Sequence, residues 1–172
     1  MLGKMVSMIS EDDHQLMLAW ANLVQVHAVM RAELSRRLEE QADVSLSEHE
    51  VLFRLSRAPR GRLRMIDLAE LTLQPKSAIT RLIERLVQRG AVTRQQPADN
   101  RRTTYAVLTR EGRALFDHAR PVYVQGVREL LGDHVTPADV RLLRQRLRAV
   151  LNGLGVWADE RCDPQPLTDA AP

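Results

Sequence analysis

The feature that most limits what this 172-residue chain can become is a change of period at Gly90. Up to that glycine, the stretch "LQPKSAITRLIERLVQRG" sets Ile79, Leu82, Ile83, Leu86 and Val87 on one helical face. Pro75 suits the helix's first turn, where a backbone amide would be unpaired anyway, and Gly90 supplies a left-handed stop. Beyond it, "AVTRQQ" and "TYAVLT" read as two short, partly alternating strands joined by the turn-rich "PADNRR". Opposite the apolar face of the helix lie Lys76, Ser77, Thr80, Arg81 and Arg85. That helix is predicted to be buried on one side and basic on the other.

The segments before it complete a module. "SLSEHEVLFRLSRAP" offers two overlapping capping boxes, Ser45 with Glu48 and Ser47 with Glu50, and Pro59 and Gly61 end the helix they begin. "MIDLAEL" reads as a short third helix. A short helix, a tight turn, a basic amphipathic helix and a hairpin together make a winged helix-turn-helix. In that module the second helix enters the major groove of DNA and the hairpin reaches the flanking backbone or minor groove.

The two ends of the chain carry matching apolar seams. In the first, Leu16, Trp20, Leu23, His27, Met30 and Leu34 recur at alternating steps of four and three, with Asp12 or Asp13 available as cap. Thr109 caps a helix running from about Glu111 to Leu131. Thr136, followed by Pro137, opens a last helix whose seam is Val140, Leu143, Leu147, Val150, Leu154 and Trp157. The small middle cannot bury both seams, which predicts a homodimer joined by the terminal helices. The fold class expected is mainly α with a small β-wing: a winged helix-turn-helix lobe plus a helical dimerisation region from both chain ends. The boundaries expected are an N-terminal dimerisation helix over 11–40, the winged lobe over 45–109, C-terminal dimerisation helices over 110–158, and tails at 1–10 and 159–172.

Charge placement agrees with a polyanionic partner. Residues 76–102 hold seven basic side chains against two acidic ones, and residues 54–64 add five arginines with no acid. Lysine and arginine gain by releasing the counterions of a phosphate backbone. An enzyme would need a constellation of nucleophile, base or metal ligands. His14, His27, His49, His118 and His134 have no metal-binding spacing, and there is no glycine-rich phosphate loop, so neither catalysis nor a cofactor is expected. The start "MLGKMVSMISEDD" is not a secretory signal, there is no membrane-length apolar run, and the lone Cys162 cannot form an internal disulfide. A cytoplasmic protein is expected.

Over roughly residues 15–155 the chain resembles the MarR family, the multiple antibiotic resistance regulators. The most specific stretches are "MIDLAEL", "AITRLIERLVQRGAVTR" and "DNRRTTYAVLTREG". The family's wing pattern is Asp-x-Arg-Arg followed by a strand ending Leu-Thr-x-x-Gly, and Asp99, Arg101, Arg102, Leu108, Thr109 and Gly112 match it position for position. The resemblance implies that Arg101 at the wing tip enters the minor groove while Asp99 holds the wing arginines, Arg102 among them. It makes Ser77, Thr80 and Arg81 the base or phosphate contacts of the recognition helix. Gln74 and Lys76, at the helix start, and Arg85, on the basic face, join them as candidate DNA contacts. One departure is the helix opening, Gln74-Pro75-Lys76, where the family often has a serine-rich turn; the base preference of a relative is therefore not carried over.

The resemblance also implies a transcription regulator, typically a repressor, that binds a near-palindromic operator as a dimer. Its hold on DNA would be relieved by a small aromatic or phenolic acid bound between the dimer helices and the winged lobe. Trp20, His27, Phe53 and Phe116 are the candidate ligand-binding residues. Cys162 lies in the tail, away from the first helix where the family's peroxide sensors carry theirs, and is expected to be inert. The competing reading is a winged-helix protein-interaction or assembly module that binds no specific DNA.

Overall fold

The computed structural model of the chain describes residues 10–97 and 103–155. In order, these form α1 (Glu11–Ala42), α2 (Leu46–Arg57), β1 (Arg62–Arg64), α3 (Met65–Thr72), α4 (Lys76–Gln88), β2 (Val92–Gln95), β3 (Tyr105–Leu108), α5 (Arg110–Leu130) and α6 (Pro137–Gly153). The predominance of helix with a small antiparallel sheet is the expected fold class.

Local chemistry starts and stops each element. The cap of α1 is Ser10 rather than Asp12 or Asp13: its hydroxyl accepts from the Asp13 amide. Asp13 instead sits at the third helical position, where a carboxylate complements the helix dipole. Of the two overlapping capping boxes before α2, Ser45 with Glu48 is the one formed. Ser47 and Glu50 then fall inside the helix that this box starts. Pro59 and Gly61 close α2 in a 3₁₀ turn, as expected. Thr136 caps α6 in a reciprocal box with Asp139.

The strand β1 goes beyond the two strands expected from sequence. It pairs with β3, giving the order β1-β3-β2, all antiparallel, with Leu63 opposite Ala106 on one side and Arg94 opposite Ala106 on the other. Three residues are too few to show a period; the free edge of β3 supplies what local sequence does not.

The Leu-Thr-x-x-Gly motif has a structural explanation. The Thr109 hydroxyl accepts from the Gly112 amide, capping α5, and donates to the Gly90 carbonyl. The Thr109 amide donates to the Ala91 carbonyl. Gly112 packs so closely on that carbonyl that a Cβ there would stand 2.0 Å from its oxygen. The start of α5 is thereby knitted to the start of the wing, and only glycine fits the crossing.

The core of the lobe draws Leu52, Leu55, Leu68, Ile79, Ile83, Leu86 and Phe116 from α2, α3, α4 and α5, sealed by Val92 and Ala106 of the sheet. Val87, expected on the apolar face of α4, lies at its edge and is 38% exposed. A smaller cluster of Leu38, Ala42, Val44 and Ala119 fastens the last turns of α1 to α5. Arg37 bridges Glu33 and Glu129 across the same two helices. Beyond this joint the seams face solvent in the single chain. Leu16, Trp20 and Leu23 on α1, and Val140, Leu143, Val150 and Leu154 on or beside α6, are all exposed, Trp20 by 61%. Trp157 lies outside the described residues.

Candidate nucleic-acid interface

The helix α4 is divided as its sequence requires. Ile79, Leu82, Ile83 and Leu86 are buried, while Lys76, Ser77, Thr80, Arg81 and Arg85 are exposed on the opposite side. Gln74 is half-buried in the turn before it. Pro75 occupies the cap position with extended backbone, one residue earlier than the first turn assigned from sequence, and Lys76 is the first helical residue. No side chain caps this end. Its amides are left for solvent or an anion beside the Lys76 ammonium, the arrangement that favours phosphate at a helix start.

Two sets of contacts fix α4 against its neighbours. From β2, Arg94 donates to the Thr80 carbonyl at 3.1 Å and stands 3.5 Å from a Glu84 carboxylate oxygen. This ties the wing to the solvent side of α4. At the other end, Arg85 and Arg89 approach Glu48 at 3.6 and 3.5 Å, and Arg89 also reaches Asp43. Glu48 is buried and at the same time closes the capping box of α2. This carboxylate therefore links the start of α2 to the last turn of α4, and Arg89 carries the link on to Asp43 at the end of α1. The sequence shows Glu48 only as a capping residue; nothing in its spacing marks the second task. The Thr80 hydroxyl, by contrast, stays within α4 and donates to the Lys76 carbonyl at 2.9 Å.

Between α3, α4 and the wing lies a cleft of about 750 Å³ lined by Arg64, Met65, Ile66, Lys76, Thr80 and Arg94. Lys76 and Thr80 are among the expected contacts; Met65 and Ile66 are not, because in sequence they read only as the start of an apolar helix. Arg64 is held by Asp67 through two short bonds. Arg54, counted in sequence with the basic run 54–64, is buried instead, paired with Glu50 and lying over the Phe53 ring. The basic character of that run is therefore partly internal. Asp99, Arg101 and Arg102 of the wing lie outside the described residues.

The four residues expected to meet a ligand are not brought together within one chain. Phe53 and Phe116 are neighbours, 6.2 Å between ring centroids, but Phe116 is a fully buried core residue. Trp20 and His27 are on the exposed stretch of α1 and belong to neither core cluster. Beside the Phe116 ring stands His49, which is not among the four. Its ring stacks on Tyr123 at 4.5 Å and lies 5.5 Å from Phe116, and its buried Nε2 has no hydrogen-bond partner. Burial pushes the imidazole down to about 4 and pushes the Tyr123 phenol up. Its only signal in sequence is its place on α2, one step from the apolar face.

Comparison with known proteins bears on the whole arrangement. The sequence profile of the MarR family matches residues 42–103. A comparison with curated protein sequences found no match. Among solved structures, the chain is similar to Sco3205 of Streptomyces coelicolor, a MarR family transcriptional regulator in complex with DNA: TM-score 0.76, 29% identity, covering 80% of this chain and 86% of that one. It is equally similar in shape to AbsC of the same organism, also a MarR family transcriptional regulator, with TM-score 0.76, 27% identity and coverage of 86% and 97%. BpsR of Bordetella bronchiseptica, whose DNA binding is regulated by 6-hydroxynicotinic acid, shares the fold at TM-score 0.67, with 22% identity and coverage of 76% and 90%. With the profile matching the winged lobe and the fold shared along most of the chain, the protein is similar to the MarR family of transcriptional regulators.

Proposed function

We propose that the protein is a cytoplasmic, sequence-specific, dimeric DNA-binding regulator, a repressor relieved by a small aromatic or phenolic acid-like ligand. The observation that carries the DNA-binding part is the division of α4. Its apolar side packs into the core while Lys76, Ser77, Thr80 and Arg81 form an exposed face beside the wing. The relative whose structure contains DNA, at 29% identity, supports the same reading.

In this proposal α4 lies in the major groove, with Gln74, Lys76, Ser77, Thr80 and Arg81 toward bases and phosphates and Arg85 farther along the backbone. Arg101 and Arg102 carry the wing to the neighbouring minor groove, with Asp99 holding them. The Thr80 hydroxyl, bonded within its own helix, can still accept from a base donor through its second lone pair. The winged lobe over 45–109 reads DNA. The helices of 11–40 and 110–158 form the dimer and set two recognition helices about one DNA turn apart, which calls for a near-palindromic operator.

The ligand part is supported by fold alone, through relatives such as BpsR. A ligand can act only by binding the DNA-incompetent spacing of the lobes better than the competent one. Phe53 and Phe116 of the lobe, with Trp20 and His27 of α1 once a second chain covers them, are the residues assigned to that site.

The test is a duplex-DNA mobility shift across a salt series, with fragments the protein itself enriches from its own genome. Affinity that falls steeply with salt and exceeds that for random duplex is expected. Equal, weak binding to all duplexes would favour the interaction-module reading. Release of the complex by a panel of small aromatic acids, and loss of release in Phe53→Ala, tests the ligand part separately.

A further inference from the structure

We propose that Leu73 is a specificity-determining DNA contact, its side chain covering the 5-methyl group of a thymine in each half-site. This rests on the DNA-binding reading above. Leu73 stands in the turn between α3 and α4 with φ 54° and ψ 36°. That is the left-handed region, where a Cβ crowds the following carbonyl and where glycine or asparagine ordinarily closes a helix. Among the described non-glycine residues, Asp43, Arg60 and Leu73 have positive φ. Asp43 is short and polar, a type that tolerates this backbone, and its carboxylate meets Arg89. Leu73 is the apolar one of the three.

The backbone of Leu73 has a structural task, because its amide donates to the Ala69 and Glu70 carbonyls and ends α3. Glycine would perform that task with less strain. The side chain has no such task. It is 70% exposed, the highest value among the described large apolar residues, and it belongs to neither core cluster. Folding thus gains little from leucine here and bears both a strained backbone and wetted apolar surface. Strain that packing does not require points to use elsewhere.

Position in the chain says where. Leu73 comes three residues before Lys76, the first residue of α4, at the helix end that meets base edges in a helix-turn-helix. Ser77 and Thr80 follow on the exposed face. Of the four bases only thymine offers an apolar group in the major groove, its C5 methyl. A branched aliphatic end excludes water from that methyl and has nothing to offer the bare C5 edge of cytosine.

The probe is a genomic duplex enriched by the full-length wild-type protein, with each thymine replaced in turn by deoxyuridine, which removes the methyl and nothing else. Wild type is expected to lose about fourfold in affinity at one thymine per half-site, the effect of uncovering one methyl-sized group. Leu73→Asn, which suits the left-handed backbone, should bind the thymine and deoxyuridine duplexes equally, keep the wild-type salt slope and melt no lower than wild type. Leu73→Ala, which keeps the strain and shortens the side chain, should be equally blind to the methyl. If either variant keeps the wild-type deoxyuridine penalty, or if wild type feels no replacement, the proposal is overturned while DNA binding stands. If wild type enriches and shifts no duplex at all, the DNA-binding reading fails and this inference with it.

Discussion

The winged lobe and the helical arms use the same aliphatic residues to opposite ends. In the lobe, Leu52, Leu55, Leu68, Ile79, Ile83 and Leu86 are all fully buried within one chain. In the arms, residues of the same kind at regular helical spacing, Leu16 and Leu23 on α1 and Val140, Leu143 and Val150 on α6, stay in water. Burying an aliphatic side chain is worth about 1.5–3 kcal/mol, so each exposed seam residue represents stabilisation available only from a partner surface. The lobe is finished by its own chain; the arms are not.

The largest effect is therefore expected at the arms, where the proposed dimer would form. Leu23→Asp combined with Leu143→Asp should convert a dimer to a monomer in sedimentation and weaken operator binding at least about 100-fold, the gain that two linked half-sites provide. The circular dichroism of the lobe should survive, because neither residue belongs to its core. A double variant that stays dimeric would break the contrast between finished lobe and unfinished arms.

Two glycines sharpen it next. Gly112→Ala places a methyl 2.0 Å from the Ala91 carbonyl oxygen, in a crossing made of backbone on one side. The wing and α5 must separate, and a loss of about 3 kcal/mol, the upper range for overpacking, is expected in chemical denaturation. At Gly153, the end of α6, a Cβ would have no neighbouring atom within 4 Å, so Gly153→Ala should leave stability unchanged or raise it slightly. Comparable losses at both positions would mean that the close approach at Gly112 is not what requires glycine.

The third effect belongs to the joint between the regions. His49 has its pKa lowered by burial from the ordinary 6.5 to about 4, so the folded state binds protons less readily than the unfolded chain. Its contribution is complete above pH 6.5 and is lost as pH falls from there toward 4. The loss amounts to about 3 kcal/mol at most, from the proton linkage of a shift of that size. The rings packed on it, Tyr123 and Phe116, bring no charge in this range. His49→Phe should flatten the stability profile between pH 6.5 and 4; an unchanged slope would place the acid sensitivity elsewhere.

Why some of this is legible in the sequence and some not follows from the range of the forces involved. The helix α4, its left-handed stop, the Ser45–Glu48 box and the two terminal seams are written in spacings of three or four residues. They can be read without the fold. The strand β1 exists because β3 offers it an edge, and Glu48 joins α4 because two arginines some forty residues away reach it. Such contacts leave no local period. The basic run 54–64 misleads for a related reason: charge can be counted from sequence, but the inward turn of Arg54 toward Glu50 and Phe53 depends on which face of α2 is buried. Aromatic residues likewise do not declare whether they line a pocket or fill a core, and Phe116 fills a core. The glycine of the Leu-Thr-x-x-Gly motif is visible as a pattern, while its cause, the Ala91 carbonyl, is not.

The smallest expected effect lies inside the lobe, at the tie between β2 and α4. Arg94 is partly exposed, and its pairing with Glu84 is the kind of surface ion pair that contributes about 0–1 kcal/mol. Arg94→Ala and Arg94→Lys should therefore both melt close to wild type. Their DNA binding should differ in a telling way. If Arg94 acts mainly as charge near a phosphate, lysine restores binding and alanine lowers the salt slope by about one unit. If it acts by holding the wing at a fixed distance from α4, lysine fails as well, because an ammonium cannot span the Thr80 carbonyl and the Glu84 carboxylate as a guanidinium fork does. The geometry favours the second outcome: weakened operator binding in Arg94→Lys with an unchanged salt slope, and Glu84→Gln, which leaves the carbonyl bond in place, affected less. A lysine variant that binds the operator as wild type does would reduce the tie to ordinary surface charge and leave the wing's position to the β2–β3 pairing alone.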